Sequence, residues 1–397
     1  MSVSTSQPAV YSAPTDLLHR LRLPRGSRIA VAMSGGVDSS AVAGLLVEAG
    51  LEVIGLTARL YDVAEQDIAQ RKAGSCCAPE DARDARTVAQ QLGMRHYVLD
   101  EREVFARDVI APFVRDWQEG RTPNPCVQCN RSLKFDRLTE MARKLGCQAL
   151  ATGHYARLLP DASGTLRLLR GVDPAKDQAY FLWPMRPDTA QYLRFPIGGL
   201  TKHEVRGHAE RLGLLVATKA ESMDICFVGH QTSQQYVESQ IGKQNGPLLD
   251  ASGKQLGQHR GLAGLTIGQR HGLGLPPQRA DADPLYVVDK RADGTVIVGP
   301  KAQLKAGVLE LADVMWLAPP PPLGSPIQVQ VRHRGQAVAA HLVGASETTA
   351  SVAVSGDLFA AAAGQSAVLW QPASPEPWVL GGGVLSRVGT APAAEAA

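Results

Sequence analysis

The sequence predicts an α/β fold: a domain built on a parallel sheet with helices on both faces, a small central domain, and an antiparallel β-barrel toward the C-terminal end. Three observations predict it. Apolar runs of strand length alternate with helical periods of about 10–15 residues through the first half of the chain. The texture then turns Gly- and Gln-rich over 216–285. From Leu285 onward, short segments of alternating polarity recur between turn signals. With 397 residues, 44% hydrophobic and 20% charged, the chain suits two or three domains of about 150 residues each. That composition excludes wholesale disorder.

The elements follow in order. Residues 1–15 carry no basic start and no apolar run, so they read as a disordered tail and not as a secretory signal. Arg28–Met33 reads as a buried strand, Ser39–Ala49 as a helix closed by Gly50, and Glu52–Leu60 as a second strand. Pro79–Leu92 is helical, with proline at its start and Gly93 after its end. His96–Leu99 is a third strand, Val104–Trp117 and Arg131–Leu145 are helices, and Ala149–Tyr155 is strand-like. Thr201-Lys-His-Glu204 has the spacing of a capping box and opens a helix that ends near Gly213. The α/β domain is placed at 16–215 and the central domain at 216–285. The barrel is placed at 286–389, built from LYVVD, TVIVG, IQVQVR, ASVAVS and SAVLW. A disordered tail at 390–397 closes the chain. No apolar run approaches the roughly 18 residues of a membrane span, and a cytoplasmic location is expected.

Charge excludes little. There are 41 Lys/Arg and 38 Asp/Glu, a net +3. Between Lys243 and Gly335, 11 Lys/Arg stand against 7 Asp/Glu. This local basic excess is compatible with RNA contact, but on its own it reads first as a solvated surface.

The first informative motif is Ser34-Gly-Gly-Val-Asp-Ser-Ser40, set between a strand and a helix. Two glycines let the backbone approach a phosphate closely. The helix that follows aims its free N–H groups and positive dipole end at the same place. A plain glycine turn with a polar cap is the competing reading, and no GxxxxGK[ST] is present. The string resembles the pyrophosphate (PP-) loop of the ATP pyrophosphatase superfamily, whose members cut ATP between the α and β phosphates. The resemblance implies that Asp38 helps place Mg²⁺.

Six cysteines are present: Cys76, Cys77, Cys126, Cys129, Cys147 and Cys226. In a reducing compartment a disulfide framework is not expected, and metal or catalytic roles gain weight. Cys126 and Cys129 lie in Gly120-Arg-Thr-Pro-Asn-Pro-Cys-Val-Gln-Cys-Asn130, whose prolines stiffen a loop before the Arg131 helix. Cys129 sits at that helix start, where the dipole and Arg131 would lower a thiol pKa. Cys226 lies far along the chain. Three readings stay open: persulfide chemistry between two of these thiols, an iron–sulfur site with Cys126, Cys129 and Cys226 as ligands, or small buried residues. Cys147, at a helix end, reads as structural.

Six motifs occur in order: SGGVDSS, TPNPCVQCN, TGHYAR, KDQAYFL, DICFVG and LTIGQRHGLG. Together they resemble the tRNA-specific 2-thiouridylase family over about 28–335. The resemblance implies a PP-loop adenine-nucleotide domain (HUP-like), a central domain and a β-barrel. It implies ATP-dependent 2-thiolation of the wobble uridine, U34, in tRNAs for Lys, Glu and Gln. The uridine C2 oxygen is adenylated, and sulfur then arrives from a cysteine persulfide with a disulfide bond as by-product. It places ATP on Ala32, Met33, Ser34, Gly35, Gly36, Val37, Asp38 and Ser39, with Ala58 and Gly153 beside them. It gives Cys129 the catalytic role and Cys226 the persulfide role. tRNA contacts fall on Asn124, Pro125, Cys126, Lys176, Asp177, Gln178, Arg332 and His333. Partners so implied are tRNA and a persulfide donor such as a cysteine desulfurase or relay protein; no membrane is involved and a monomer is expected. Cys126 stands where some members have an acid, which keeps a [4Fe–4S] cluster open as an alternative. His154 is read both as a packed core histidine and as a ligand contact.

Overall fold

Arg28–Ala32 (β1) and Ala149–Thr152 (β4) are short apolar runs buried almost throughout, as strands covered on both faces must be. In this computed structural model they pair in parallel, Ile29 opposite Ala149 and Ala32 opposite Thr152. The structure describes residues 14–62, 79–220, 225–229, 231–275, 283–373 and 376–390. Cys76, Cys77, residues 221–224 and most of both predicted tails lie outside these. The described residues divide into two compact units, 1–105 with 130–227 and 106–129 with 228–397.

In the first unit Glu52–Arg59 (β2) pairs in parallel with β1, and Arg95–Asp100 (β3) with β2. Ala156–Pro160 (β5) and Leu166–Arg170 (β6) form an antiparallel hairpin. Leu193–Arg194 (β7) is a two-residue edge strand beside β4. The parallel sheet runs β3-β2-β1-β4-β7. The order reverses direction between β1 and β4, and in open α/β sheets ligands bind beyond the carboxyl ends of the strands at such a reversal. The Val37–Glu48 helix is buried over Val37 and Ser39–Leu46, because it is apolar on nearly all sides. It packs with Ile29, Val31, Leu51, Val53, Val205 and Ala209 in one core. The Thr201 capping box forms as read: the Thr201 hydroxyl accepts from the Glu204 amide at 3.3 Å, and the Glu204 carboxylate accepts from the Thr201 amide at 2.7 Å.

In the second unit Gly246–Leu249 (β8), Gln255–His259 (β9), Tyr286–Lys290 (β10) and Val296–Gly299 (β11) form one sheet in the order β10-β11-β8-β9. LYVVD and TVIVG, which the sequence reading groups with the barrel, therefore pair with the central strands, β11 running parallel to β8. Periodicity identifies a strand but not its partner. Leu248, Leu262, Leu265, Val287, Val296 and Val298 fill the core of this small sheet.

The antiparallel barrel comprises Ala306–Trp316 (β12), Pro326–Gln330 (β13), Val338–Ala345 (β14), Ala350–Val354 (β15), Ser366–Gln371 (β16) and Trp378–Thr390 (β17). These six run β12-β15-β14-β13-β16-β17, and β12 pairs back onto β17 to close the ring. Closure leaves no open strand edge. At the closing seam a Cβ on Gly381 would lie 2.3 Å from the Met315 carbonyl oxygen, so the glycine run in β17 permits the close approach. The predicted architecture of parallel-sheet domain, central domain and β-barrel is borne out.

Candidate active site

The glycine loop leaves β1 with its backbone fixed at both ends. The Met33 amide donates to the Leu56 carbonyl at 2.8 Å. Gly35 takes φ +71°, and a Cβ there would lie 2.1 Å from the Asp81 carbonyl oxygen, so only glycine fits. Gly36 caps the Val37–Glu48 helix in an extended conformation. The Ser39 hydroxyl accepts from the Ser34 amide at 3.2 Å and donates to the Gly36 carbonyl at 3.3 Å; the Ser40 hydroxyl also donates to Gly36, at 2.9 Å. The two serines thus hold the turn. Ala32, Ser34, Gly36 and Asp38 are half-buried, whereas Met33, Gly35, Val37 and Ser39 are buried. Gly153 lies against the same helix start: its Cβ would be 2.9 Å from the Ser39 nitrogen. Ala58, half-buried, lies near the carboxyl end of β2. A helix N-terminus and a glycine turn at the carboxyl edge of a parallel sheet form a ready anion site.

Asp38 is read from the sequence, but its partners around this loop, Lys202 and Tyr155, and the Lys219–Asp81–Asp84 cluster are not. Asp38 Oδ1 accepts from Lys202 Nζ at 2.7 Å and from the Tyr155 hydroxyl at 2.8 Å. Lys202 occupies the first position of a helix, where the dipole disfavours a cation. That misplaced charge is the signal from which the pair could have been found. Lys219 Nζ donates to Asp81 at 2.6 Å, to Asp84 at 2.5 Å and to the Gly35 carbonyl at 3.1 Å. Burial works against its charge, but the bonds to Asp81 and Asp84 outweigh it and hold its pKa above the ordinary lysine value. Mg²⁺ commonly takes one or two carboxylates alongside substrate phosphates, and Asp38 is the loop residue that fits it.

His154 proves to be a buried, neutral histidine. Its Nδ1 lies 2.7 Å from Thr152 Oγ1 and its Nε2 3.2 Å from Lys134 Nζ, and the ring packs edge-on against Phe195. Burial, then the Lys134 charge, pushes its pKa well below the usual histidine range. Asp177 is also buried: one oxygen accepts from the Gly171 and Ala179 amides, the other from Arg170 at 2.8 Å. Gln178 accepts from the Tyr155 amide at 3.0 Å and donates its own amide to the Tyr155 carbonyl at 2.9 Å. These two side chains shape the segment that carries Tyr155 to Asp38. Lys176, beside them, is half-buried.

Cys226 belongs to the first unit and is half-buried. Its carbonyl accepts from the Tyr61 hydroxyl at 2.8 Å, and its neighbour Phe227 packs edge-on against Phe105 at 5.6 Å. Tyr61 follows β2, so the Cys226 backbone is anchored at the same carboxyl edge as the glycine loop. Cys147 is buried with its thiol pKa raised by burial, as a structural cysteine should be.

Asn124, Pro125, Cys126 and Cys129 belong to the second unit. Pro125–Cys129 is itself α-helical, so Cys129 lies a turn into a helix and not at the start of one opening at Arg131. Proline at a first helical position explains the early start. Cys126 is exposed and Cys129 half-buried. Pro123, Asn124, Pro125 and Gln128 line a cavity with Phe113 and Gly364. The chain leading into this loop is held by the Thr122 amide, which donates to the Ala363 carbonyl at 2.8 Å. Lys290, buried in β10, donates to the Leu265 carbonyl at 3.0 Å and lies 4.4 Å above the Trp117 ring. Burial pushes its pKa down to about 7. Arg332 is exposed and donates to the Ala360 carbonyl at 2.5 Å; His333 is half-buried beside it. Among the described residues no three His, Cys, Asp or Glu side chains gather into a metal-binding set.

Residues 27–230 match the family described as tRNA methyl transferase HUP domain, 234–300 the tRNA methyl transferase PRC-barrel domain, and 307–385 the aminomethyltransferase beta-barrel domain. A protein of Methylorubrum extorquens named tRNA-specific 2-thiouridylase MnmA is 43% identical over 94% of this chain and 98% of its own length. Proteins of the same name from Rhodospirillum centenum and Geobacter metallireducens are 41% and 47% identical. They cover 94% and 73% of this chain, and 95% and 79% of their own lengths. The chain belongs to the tRNA-specific 2-thiouridylase family. Within this family the HUP match, 27–230, contains the glycine loop, Gly153, Cys129 and Cys226, and the PRC-barrel match ends at 300, after β11. No helix among the described residues is long and apolar enough to cross a membrane.

Proposed function

We propose that the chain is an ATP-dependent tRNA-uridine 2-sulfurtransferase that forms 2-thiouridine at the wobble position. One observation carries this most: a chain of the 2-thiouridylase family has its glycine loop and its anchored Cys226 at one edge of a parallel sheet. ATP binds with its pyrophosphate on Ser34–Ser40, and Asp38 is the residue that would hold an accompanying Mg²⁺, which would offset the phosphate charge. The target uridine leaves the base stack, since a stacked C2 edge is out of reach. Its O2 attacks the α-phosphate, pyrophosphate leaves, and the N3 proton passes to solvent.

Cys226 carries a persulfide loaded by an outside donor. Its terminal sulfur attacks C2 and AMP departs with the O2 electron pair. The Cys129 thiolate then attacks Cys226 Sγ, which forms a Cys129–Cys226 disulfide and frees the thiocarbonyl. An external dithiol reduces the disulfide for the next turnover. Asn124, Pro125 and Cys126 serve the target base. Lys176, Arg332 and His333 contribute to tRNA binding, with Asp177 and Gln178 shaping the Lys176 segment. On this reading the enzyme works in the cytoplasm, with tRNA and a persulfide donor as its partners.

The test is mass spectrometry of tRNA nucleosides after incubation with ATP, Mg²⁺ and a persulfide donor, run with and without oxygen. 2-Thiouridine is expected from the wild type in both atmospheres, and none from Cys129→Ser or Cys226→Ser while both variants still bind tRNA. Full turnover by either variant overturns the thiol shuttle. Activity confined to anaerobic, iron-loaded protein overturns it in favour of cluster chemistry.

A further inference from the structure

We propose that Lys134 is a catalytic residue of the adenylation step, its ammonium contacting the α-phosphate of ATP and offsetting the negative charge that gathers as pyrophosphate leaves. This inference rests on the nucleotide reading above. Three observations support it.

The first is place. Lys134 lies in the π-helical segment Asn130–Arg137, which runs into the Leu138–Lys144 helix. Its Nζ is 3.2 Å from His154 Nε2. His154 follows Gly153, the residue that meets the Ser39 amide, and is tied to Thr152 at the last position of β4. Thr152 pairs with Ala32, the last residue of β1 before the glycine loop. The ammonium therefore stands at the β1/β4 reversal, where an open sheet binds its ligand.

The second is charge. The other lysines at this edge are occupied: Lys202 by Asp38, Lys219 by Asp81 and Asp84. Among the described residues Lys134 has no carboxylate partner; the side-chain partner of its ammonium is a histidine. Its charge is left available to an incoming anion, in a half-buried position where charge interactions exceed their strength in water.

The third is the nature of that histidine. An ammonium can only donate, so Nε2 accepts from Lys134, and in the neutral ring Nδ1–H then donates to the Thr152 hydroxyl. A neutral imidazole aims the ammonium without cancelling its charge. A carboxylate in the same place would do the opposite.

In the reaction the bond from uridine O2 to the α-phosphorus forms as the bond from that phosphorus to the bridging oxygen breaks. The electron pair leaves with pyrophosphate, and Lys134 keeps its proton throughout. Fixed cations around a transferring phosphoryl group act mainly in the transition state. Removing one such donor typically costs about 10²–10³ in rate.

The experiment follows pyrophosphate release in a single turnover with saturating tRNA, alongside ATP and tRNA binding, for wild type, Lys134→Met, Lys134→Gln and Lys134→Arg. Slowing on the order of 100-fold is expected for Met and Gln, with ATP Kd and melting temperature close to wild type and partial recovery with Arg. If Lys134→Met fails to fold, Lys134→Gln, which retains a donor to His154, carries the same expectation. Wild-type rates in either neutral variant would overturn the proposal and leave the nucleotide reading intact. A wild-type enzyme that releases no pyrophosphate from ATP and tRNA would overturn the nucleotide reading itself.

Discussion

Gly35→Ala is the sharpest single perturbation of the phosphate loop. At φ +71° an alanine takes up the left-handed region, at a cost of roughly 1–2 kcal/mol. Its Cβ would also sit 2.1 Å from the Asp81 carbonyl oxygen and 2.7 Å from Asp81 Cα. Both are backbone atoms, so no flexible side chain can swing aside; the loop or the start of the Pro79–Gln91 helix must move. If the strain stays in the fold, the melting temperature falls by about 2–4 °C per kcal/mol for a unit of this size. If the loop moves to relieve it, the anion cradle is lost, and a 1.4 kcal/mol penalty on binding is about tenfold in Kd. Gly36→Ala is the matched control for the melt alone: Gly36 has φ −93°, and the nearest atom to its added Cβ is Ser34 Oγ at 3.5 Å. Thermal melts of both variants and ATP titration of Gly35→Ala decide the matter. Gly35→Ala that melts and binds ATP as the wild type does would refute the steric reasoning.

Two further outcomes follow from the charges around the loop. Lys219→Met leaves buried Asp81 beside Asp84 without their cation. Removing one partner of a buried pair costs about 3–5 kcal/mol; partial exposure of Lys219 and Asp84 lowers the expectation to about 2 kcal/mol. Denaturant unfolding measures it, and Asp84→Asn added to Lys219→Met should recover part of the loss. His154 stays neutral in the fold, its pKa well below the ordinary 6.5. The unfolded chain therefore takes up a proton near 6.5 that the folded chain refuses. The stability this contributes is full above that pH and lost as pH falls below it. Between about pH 7 and 5 the wild-type melting temperature should fall more steeply than that of His154→Asn. Parallel slopes would contradict the buried neutral histidine. The difference between the two proteins isolates His154, because His96 and His208 are shifted the same way in both.

The parts of the fold legible in the sequence are those set by local chemistry. Arg28–Ala32, Glu52–Arg59 and Ala149–Thr152 are apolar runs bounded by glycine or polar turns, and each forms a strand of the expected sheet. The Thr201 box needs only a hydroxyl and a carboxylate three positions apart. By contrast, Tyr286–Lys290 pairs through Val296–Gly299 onto Gly246–Leu249 because of packing across some 40 residues. No window of sequence contains that information. The long β17 is not among the segments picked out by alternating polarity, because Gly381-Gly-Gly383 carries no side chains to alternate; in the barrel those glycines admit the backbone of β12. The candidate site divides in the same way. A glycine loop and a thiol announce themselves by residue type. Lys134 and Lys219 are ordinary lysines until the fold brings them to His154 and Asp81, and only the place of Lys202 at a capping-box helix start hints at its pairing with Asp38.

That last point bears on how the site attracts its nucleotide. Among the described residues, Lys134, Lys202 and Lys219 stand against Asp38, Asp81 and Asp84 around the glycine loop, so these side chains together give it little pull on an anion. Attraction must come from how the charge is distributed. Asp38, Asp81 and Asp84 would each repel a triphosphate, and each is held by a lysine. The amides at the start of the Val37–Glu48 helix and the Lys134 ammonium have no such internal anion. A compact ligand that reaches those donors gains their full interaction, whereas a polyanion passing at a distance meets a nearly neutral surface. The edge is thus suited to a magnesium-bound nucleotide over the backbone of an RNA. In the reaction proposed above, which needs both ATP and tRNA, such a distribution would keep tRNA phosphates from competing for the glycine loop.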